Sequence, residues 1–348
     1  MSVLGSFIYK ETLHLVRDKR TMLIAILLPM VLVVLFGFAI STEVNHIRFV
    51  VAASLWNDDV RQLTEKLSAS ELLDYKGAAS VDEAELLLRR GKIEAAIVFN
   101  SDGGAQVIAD ASNPNNAQTV SAYVGGILSS GPSDELLPVT HMLYNPQMKS
   151  SYNFVPGILG LILILICAIL TSISIVREKE HGTMELLLVS PVKPIYIIIG
   201  KIVPYFFLAC IDLAGVLLLS KFVLGVPMNG SMAGIIVVSL VYVALSLALG
   251  LLISTLASSQ IVALIISAAL MLIPLMMFSG MLFDTSSMPK VLQWISAAVP
   301  ARWYIDAMKR LMVQGVSFPY VMKDLTILCG MMVAFLAVSL KKFNDKLE

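Results

Sequence analysis

The sequence predicts an α-helical polytopic membrane protein with six transmembrane helices and an α/β domain inserted after the first of them. Three observations support this fold class. Of the 348 residues, 57% are apolar and only 14% are charged, whereas soluble domains have roughly 45–50% and 25%. Six apolar stretches approach the ~20 helical residues that cross a bilayer. A polar segment, residues 41–153, separates the first stretch from the second.

The predicted spans define the divisions of the chain. They cover residues 22–40, 156–176, 203–224, 233–256, 261–283 and 325–340, the last being the shortest. An N-terminal helix at 1–21 precedes the first span, the later spans occupy 154–340, and a tail follows at 341–348. The first apolar run exceeds the roughly 7–15 residues of a signal peptide and no convincing cleavage site follows, so we expect an uncleaved anchor.

The insert at 41–153 contains short segments of changing pattern. They predict strands at 46–55 and 92–100, and helices at 58–73, 81–90 and 117–128. A dense turn signal, DASNPNN at 110–116, precedes the last of these helices. Alternation of strand and helix indicates a small α/β domain.

Basic residues beside the spans predict the orientation, because cytoplasmic loops are enriched in Lys and Arg. They cluster before the first span, between the second and third, and after the last: Lys10, Arg17, Lys19, Arg20, Arg177, Lys179, Lys193, Lys201, Lys341, Lys342 and Lys346. With six spans all three regions share one side, so we expect cytoplasmic termini and an extracytoplasmic insert. The connection between spans five and six argues the other way, with Lys290, Arg302, Lys309, Arg310 and Lys323.

Composition excludes several classes of function. Lys plus Arg equals Asp plus Glu at 25 each, which gives no sign of a nucleic-acid surface. The three cysteines, Cys167, Cys210 and Cys329, lie in apolar runs, and the four histidines show no metal-binding spacing, so no disulfide framework or metal site is expected. No catalytic motif pairs a nucleophile with a base, and no GxxxxGK[ST] loop is present. Any nucleotide must therefore bind a separate chain.

The connection between spans two and three predicts a short helix within residues 177–191. Its sequence is REKEHGTMELLLVSP. Gly182 suits the left-handed cap of the preceding helix, and Thr183 suits the N-cap of the next. Glu185 falls in the first turn, where the helix dipole favours an acid, and Pro191 stops the helix.

This short helix has the composition of a docking element. Met184, Leu187 and Leu188 can fill a partner's groove. Arg177 opens the connection, and the acids Glu178, Glu180 and Glu185 can meet basic residues at the rim of that groove. The alternative is a helical turn on the lipid headgroups, which three acids near an anionic surface disfavour.

A second irregular segment, residues 284–315, follows the fifth span. Gly280 ends that span, and Pro289 and Pro300 divide the segment. Residues 291–299 are apolar but too few to cross, which fits a re-entrant or interfacial helix. Arg302, Asp306 and Arg310 lie at i, i+4 and i+8, so we expect Asp306 to pair with both arginines, whether in a functional role or as surface ion pairs.

Asp212 lies near the middle of the third span. A charged acid there costs about 2.5–3.5 kcal/mol, which the surrounding apolar residues can offset. The side chain still needs a partner. It serves either as a cation or proton site on a transport path or as a structural hydrogen bond to a neighbouring helix.

These segments resemble one family. REKEHGTMELLLVSPV resembles the signature of type-2 ABC transporter permeases, and FSGMLFDTSSMPKVLQWISAAVPARWYIDAMKR is similar to the family's region between spans five and six. KETLHLVRDKRTMLIAILLPMVLVVLFGFAI resembles its N-terminal helix and first span. The insert is similar to the extracytoplasmic domain of the long-insert subgroup.

The resemblance implies a permease that is not itself an enzyme and lies in the bacterial inner membrane. Its 177–191 helix would be the coupling helix docked on ABC ATPase subunits, which would hold ATP and Mg²⁺, while this chain holds no cofactor. A second permease copy or a sister permease would complete the path, and a periplasmic accessory protein is a further partner. The exported substrate would be a drug, a lipid or another amphiphile.

The N-terminal helix and the 177–191 connection are then the expected coupling elements. The connection between spans four and five, STLASSQ at 254–260, has no charge. Glu11 interrupts the apolar face of the N-terminal helix, so no clean membrane-lying amphipath is expected. The competing hypotheses are an ion- or proton-coupled secondary transporter using Asp212 and a membrane sensor whose insert binds a ligand.

Overall fold

The computed structural model describes residues 3–39, 47–53, 56–70, 73–100, 104–109, 120–121, 124–127, 150–182, 194–283, 285 and 288–344. The chain divides into two compact units. The membrane unit comprises Met1–Ser41 and Lys149–Glu348, and the insert unit comprises Thr42–Met148.

The membrane unit begins with two helices separated by a single residue. α1 covers Val3–Arg17 and α2 covers Lys19–Ala39. Asp18 lies between them and accepts hydrogen bonds from the backbone N–H and the hydroxyl of Thr21, at 3.2 and 2.7 Å. This is an N-cap, which satisfies a free N–H at the start of α2 and fixes where that helix begins.

The described part of the insert unit contains a four-stranded sheet with helices between its first strands. In chain order the elements are β1 Ile47–Ala53, α3 Asp58–Ser68, β2 Leu73–Ala78, α4 Val81–Arg89, β3 Ala95–Phe99 and β4 Ala105–Ala109. The strand order is β2-β1-β3-β4, with β1 parallel to both neighbours and β4 antiparallel to β3. The predicted α/β class of the insert is confirmed.

The two central strands were predicted, whereas the edge strands were not. β1 and β3 are almost wholly buried, so their residues form continuous apolar runs. β2 and β4 are the edges and are only partly buried, and polar residues interrupt their sequences, Asp74 and Lys76 in β2 and Gln106 in β4. Of the predicted helix at 117–128, residues 120–121 and 124–127 are helical, and the remainder lies outside the described residues, as does the 110–116 turn.

After the insert, the described residues of the membrane unit form seven α-helices and one short 3-10 helix, Phe318–Val321. The α-helices are α5 Ser150–Glu180, α6 Pro194–Phe222, α7 Met232–Leu256, α8 Gln260–Phe278, α9 Lys290–Ala297, α10 Pro300–Met312 and α11 Met322–Asn344. Among the described residues, six helices are long and apolar enough to cross a membrane: α2, α5, α6, α7, α8 and α11. The predicted six-span fold class is confirmed.

The predicted boundaries differ from the helices at the third, fifth and sixth spans. The third span was predicted to begin at residue 203, but α6 begins at Pro194. The fifth span was predicted to reach residue 283, but α8 ends at Phe278, with Ser279 as C-cap and Gly280 at φ +79°. The sixth was predicted as the shortest, but its apolar helical segment covers Phe318–Lys342. Asp324 in the first turn of α11 is only 2% exposed and accepts a hydrogen bond from Arg310.

The core of the membrane unit lies where α5, α7 and α10 meet. Tyr242 of α7 stacks on Tyr304 of α10 with ring centroids 4.0 Å apart, and its hydroxyl donates to the carbonyl of Gly160 at 2.9 Å. Gly250 lets α7 approach α5 closely, since a Cβ there would lie 2.7 Å from the carbonyl oxygen of Ala168. α10 is therefore part of the core, whereas its sequence left open whether its charged face had a functional role or formed surface ion pairs.

Candidate functional site

The candidate site lies where α1 meets the end of α5 and the start of α6. Gly200 on α6 faces Phe7 on α1, and a Cβ at Gly200 would lie 2.8 Å from the Phe7 Cβ. The absence of a side chain thus allows the two helices to touch. Glu178, near the end of α5, belongs to residues 177–191, the connection predicted to couple to a partner.

Four charged residues, here called the charged cluster, join the three helices: Lys10, Glu11, Glu178 and Lys201. Lys201 is 3% exposed, and its Nζ lies 3.1 Å from Glu178 Oε1 and 3.5 Å from Glu11 Oε1. Lys10 Nζ lies 3.2 Å from the same two oxygen atoms. Buried charges require paired partners, and here two bases alternate with two acids from three helices.

Lys10 is the more exposed base of the charged cluster, and its pKa shows the effect of the two neighbouring carboxylates. Partial burial lowers the pKa of Lys10, but the carboxylates of Glu178 and Glu11 outweigh that effect, so its pKa stands above the ordinary value. The ammonium form of Lys10 is therefore the form that the cluster stabilises.

Asp18 and Arg177 form a second, looser link between the N-terminal segment and α5. The Arg177 Nη2 lies 3.9 Å from Asp18 Oδ2. The hydrogen bonds from Thr21, and to a smaller extent the charge of Arg177, lower the pKa of Asp18. The residue that caps α2 thus also faces the end of α5.

A cavity of 340 Å³ opens between these groups. The charged cluster, Asp18 and Arg177 line one part of it, while Leu170, Ile173 and Tyr205 line another. Its lining therefore combines paired charges with apolar side chains.

The helix of the second span extends beyond the predicted end at residue 176 but stops at the predicted glycine cap. α5 runs to Glu180, and Gly182 adopts φ +67°, the left-handed conformation of a helix cap. The predicted coupling residues Thr183, Met184, Glu185, Leu187, Leu188 and Pro191 lie outside the described residues.

The last two residues of α5 contact the turn between α7 and α8. Lys179 Nζ donates to the carbonyls of Ser254 and Ala257, at 3.3 and 2.9 Å. Glu180 accepts from the backbone N–H of Gln260 at 2.8 Å and also from its side-chain amide. Glu178 and Glu180, predicted to meet a partner's basic residues, thus both have partners within this chain.

The comparison with known proteins identifies the family. Residues 19–341 match the family described as "ABC-2 family transporter protein". The chain belongs to the ABC-2 transporter family. This makes it a multi-pass membrane permease of the ABC-2 type.

Three relatives from Escherichia coli (strain K12) extend along much of this ABC-2 permease. The "Probable multidrug ABC transporter permease YbhS" is 30% identical, covering 97% of this chain and 96% of its own length. The "Probable multidrug ABC transporter permease YbhR" is 28% identical, covering 92% and 93%. The "Inner membrane transport permease YhhJ" is 30% identical, covering 69% and 67%.

The segment after the fifth span of this ABC-2 permease contains the predicted short helix, but its arginines do not form the predicted ion pairs. Pro289 is the N-cap of α9, Pro300 is the first residue of α10, and α9 is only eight residues, about 12 Å long. The predicted pairing of Asp306 with both arginines is wrong among the described residues. Arg302 donates to the Gln293 carbonyl and Ser296 Oγ, at 3.1 and 3.2 Å, and Arg310 pairs with Asp324 at 3.2 Å.

Arg302 and Arg310 bind other partners than Asp306 for a physical reason. Helical spacing does place the three residues on one face, but that face packs against neighbouring elements whose polar groups lie nearer to the arginines. Burial raises the pKa of Asp306, and Lys309 and Arg310 offset this only in part. Asp306 is therefore a half-buried acid with nearby bases rather than the centre of a triad.

Asp212 is the buried acid of the third span. It is 2% exposed, and its Oδ1 atom has no hydrogen-bond partner among the residues that the structure describes. The predicted hydrogen bond to a neighbouring helix is thus not made by Oδ1 in this part of the permease. Both predicted roles, a cation or proton site and a structural hydrogen bond, stay predictions.

The sequence did not predict the charged cluster, although two of its residues gave a signal. Lys201 was counted only as a flanking basic residue, and Glu11 was noted only as an interruption of an apolar face. Both residues require charged partners when buried, since Lys201 precedes an apolar span and Glu11 lies on an apolar helix face. Their separation by 190 positions prevented the sequence alone from pairing them.

Proposed function

We propose that the chain is the membrane-spanning subunit of an ATP-driven exporter, which moves an amphiphilic drug, lipid or similar molecule outward across a bacterial inner membrane. The charged cluster is the observation that carries this proposal. It joins α1, the end of α5 and the start of α6, and its Glu178 belongs to the predicted coupling connection at 177–191. The names of the multidrug permease relatives support an amphiphilic substrate.

The energy source in this proposal is a partner. ABC ATPase subunits dock on residues 177–191 and carry ATP and Mg²⁺, while this chain is not an enzyme and holds no cofactor. The absence of a GxxxxGK[ST] loop from the sequence supports that division. A second copy of the permease, or a sister permease, completes the translocation path within the membrane lipid.

The proposed orientation places both termini in the cytoplasm. Six spans bring the N-terminal helix and the tail to one side, and the basic residues beside them support the cytoplasmic side. The insert unit is then extracytoplasmic, where it can meet a periplasmic accessory protein.

The coupling step follows from the charged cluster. Closure of the ATPase subunits displaces the connection at 183–193. Since α5 and α6 flank this connection and share ion pairs with α1, the three helix ends move as one block. Rigid-body motion of such blocks is a common way to switch a bistable interface, here between inward and outward access.

Co-purification with an ATPase tests the proposal. The permease is extracted in mild detergent from cells that co-express the ABC ATPase genes neighbouring its own, and vanadate-sensitive ATP hydrolysis is measured on the purified complex. We expect an ATPase to accompany the native chain and to be lost from Glu185→Lys. The control is Glu65→Lys, an exposed acid of the insert unit.

Either of two results contradicts the proposal. Absence of an ATPase from the native chain under several mild conditions removes the motor. Retention of the ATPase by Glu185→Lys with full activity shows that residues 177–191 are not the docking element.

Asp212 supports a second candidate function, ion- or proton-coupled secondary transport. A nearly inaccessible carboxylate with an unpartnered oxygen in a membrane span is a functional candidate. Uptake driven by a pH or sodium gradient into vesicles that contain the permease alone distinguishes the two. Transport without ATPase subunits favours this second function.

A further inference from the structure

The uncharged turn between the fourth and fifth spans is held by two charges from the second span. α7 ends at Leu256 and α8 begins at Gln260. Lys179 donates to carbonyls at the end of α7, and Glu180 accepts from the first N–H of α8. Two consecutive residues therefore bind the two sides of one turn.

The signs of these charges match the helix ends that they touch. The C-terminal end of a helix exposes unpaired carbonyls and a partial negative charge, while the N-terminal end exposes N–H groups and a partial positive charge. Lys179 faces the former and Glu180 the latter. Each charge thus has the sign that its helix end favours, in addition to lying within hydrogen-bond distance of it.

Apolar packing lies directly beside the pair. Val176 of α5, Ala257 of the turn and Ala263 of α8 form a small buried cluster. Ala257 has almost no exposed surface, so the turn is seated against α5. Polar and apolar contacts together join the end of the second span to the start of the fifth.

We propose that Lys179 and Glu180 are positioning residues that make the turn between α7 and α8 follow the end of α5. Displacement of the 183–193 connection is then carried to the fourth and fifth spans as well as to the second and third. This rests on the proposed function only for the source of the displacement. The contacts themselves require no ATPase.

The first experiment measures hydrogen–deuterium exchange of residues 256–265 in the purified permease alone. The key variant exchanges the two residues, Lys179→Glu with Glu180→Lys, which preserves net charge but opposes both helix ends. We expect exchange to accelerate about tenfold, as for loss of one charged hydrogen bond. Glu180→Gln should give a smaller increase, and Lys179→Arg should stay native because guanidinium also donates to carbonyls.

The second experiment measures substrate transported per ATP hydrolysed in the reconstituted complex. We expect the exchanged variant to lose about fivefold in this ratio while its ATP hydrolysis continues. Lys179→Arg should restore the native ratio. Lys342→Met, which removes an exposed base from the end of α11, is the control and should change neither measurement.

If the variant with Lys179→Glu and Glu180→Lys shows native hydrogen–deuterium exchange and a native transport ratio, the inference is wrong. The signs of the two charges would then not matter for their contacts with the helix ends. If the exchanged variant does not fold, Glu180→Gln and Lys179→Arg decide the matter by the same measurements. Failure to find any ATPase would defeat the proposed function but leave the exchange result valid.

Discussion

Lys201 and Glu178 form an ion pair between the third and second spans, with Nζ 3.1 Å from Oε1. Both side chains are largely buried, and Glu11 and Lys10 complete the charged cluster around them. Removing one partner from such a group leaves an uncompensated buried charge, whereas removing all of them together does not. The charged cluster therefore links the three helices, and its contribution to stability can be tested by removing one charged partner or several together.

Lys201→Met should destabilise the permease. Loss of the ammonium group leaves Glu11 and Glu178 buried with only Lys10 between them, at a cost of about 3 kcal/mol. The fall in melting temperature in detergent measures this. Lys221→Met, an exposed base at the other end of the same helix, is the control. Adding Glu11→Gln and Glu178→Gln to this variant should restore part of the lost melting temperature. If the melting temperature does not rise, the pairing is contradicted.

Asp18 should give the start of α2 a pH dependence. Its pKa is lowered in the folded chain, so its contribution to stability is complete above the ordinary pKa of 3.8 and is lost as pH falls through the lowered value. Asp18→Asn removes this charge. The difference in melting temperature between native and Asn chains should thus shrink in acid. A difference unchanged down to pH 2 would refute the assignment.

Asp18→Ala removes the cap itself. The N–H and hydroxyl of Thr21 lose their acceptor, which costs about 1 kcal/mol at a helix N-terminus. Thr21→Val removes only the side-chain donor and should cost less. Equal melting temperatures for Asp18→Ala and the native chain would show that α2 needs no cap.

Gly250→Ala should separate two core helices. The new Cβ would lie 2.7 Å from the Ala168 carbonyl oxygen and 2.8 Å from Thr171 Cβ, so α5 and α7 must shift, at about 2–3 kcal/mol. Gly330→Ala is the matched control, since nothing lies within 4 Å of its Cβ. That control should instead stabilise its helix by up to about 1 kcal/mol. Similar melting temperatures for the two variants would contradict the close packing.

Arg310→Met should loosen the contact between α10 and α11. Asp324 would lose its cation while remaining buried, and because Arg310 is partly exposed we expect only about 1–2 kcal/mol. Lys290→Met, an exposed base of the same segment, is the control. In the double variant with Asp324→Asn the loss should be smaller than for Arg310→Met alone. Additive losses would show that the two residues are not coupled.

The sequence predicted features that local patterns encode. Each span is a long apolar run, and the central strands β1 and β3 are buried on both faces, so their patterns are strong. Gly182 and Pro300 mark helix ends by backbone chemistry alone. These features depend on neighbouring residues along the chain.

The features that sequence analysis missed depend on distant partners. Glu11 pairs with Lys201, 190 positions away along the chain. Arg310 forms an ion pair with Asp324 of the next helix and not with Asp306 of its own helix. Periodicity identifies which residues share a face, but it does not identify what packs against that face. The candidate site therefore became visible only when three helices were brought together.

Asp212→Asn should preserve ATP-driven transport. In an exporter powered by partner subunits the carboxylate is not the energy source, and a neutral amide costs less to bury in a membrane span than a charged acid. We therefore expect an unchanged or higher melting temperature and native transport per ATP in the reconstituted complex. Asp212→Leu, which also removes the polar group, tests whether any hydrogen bond is needed. An Asn variant that folds and binds its ATPase but does not pump would instead assign Asp212 to the transport path, since only loss of a titratable or cation-binding group then explains the defect.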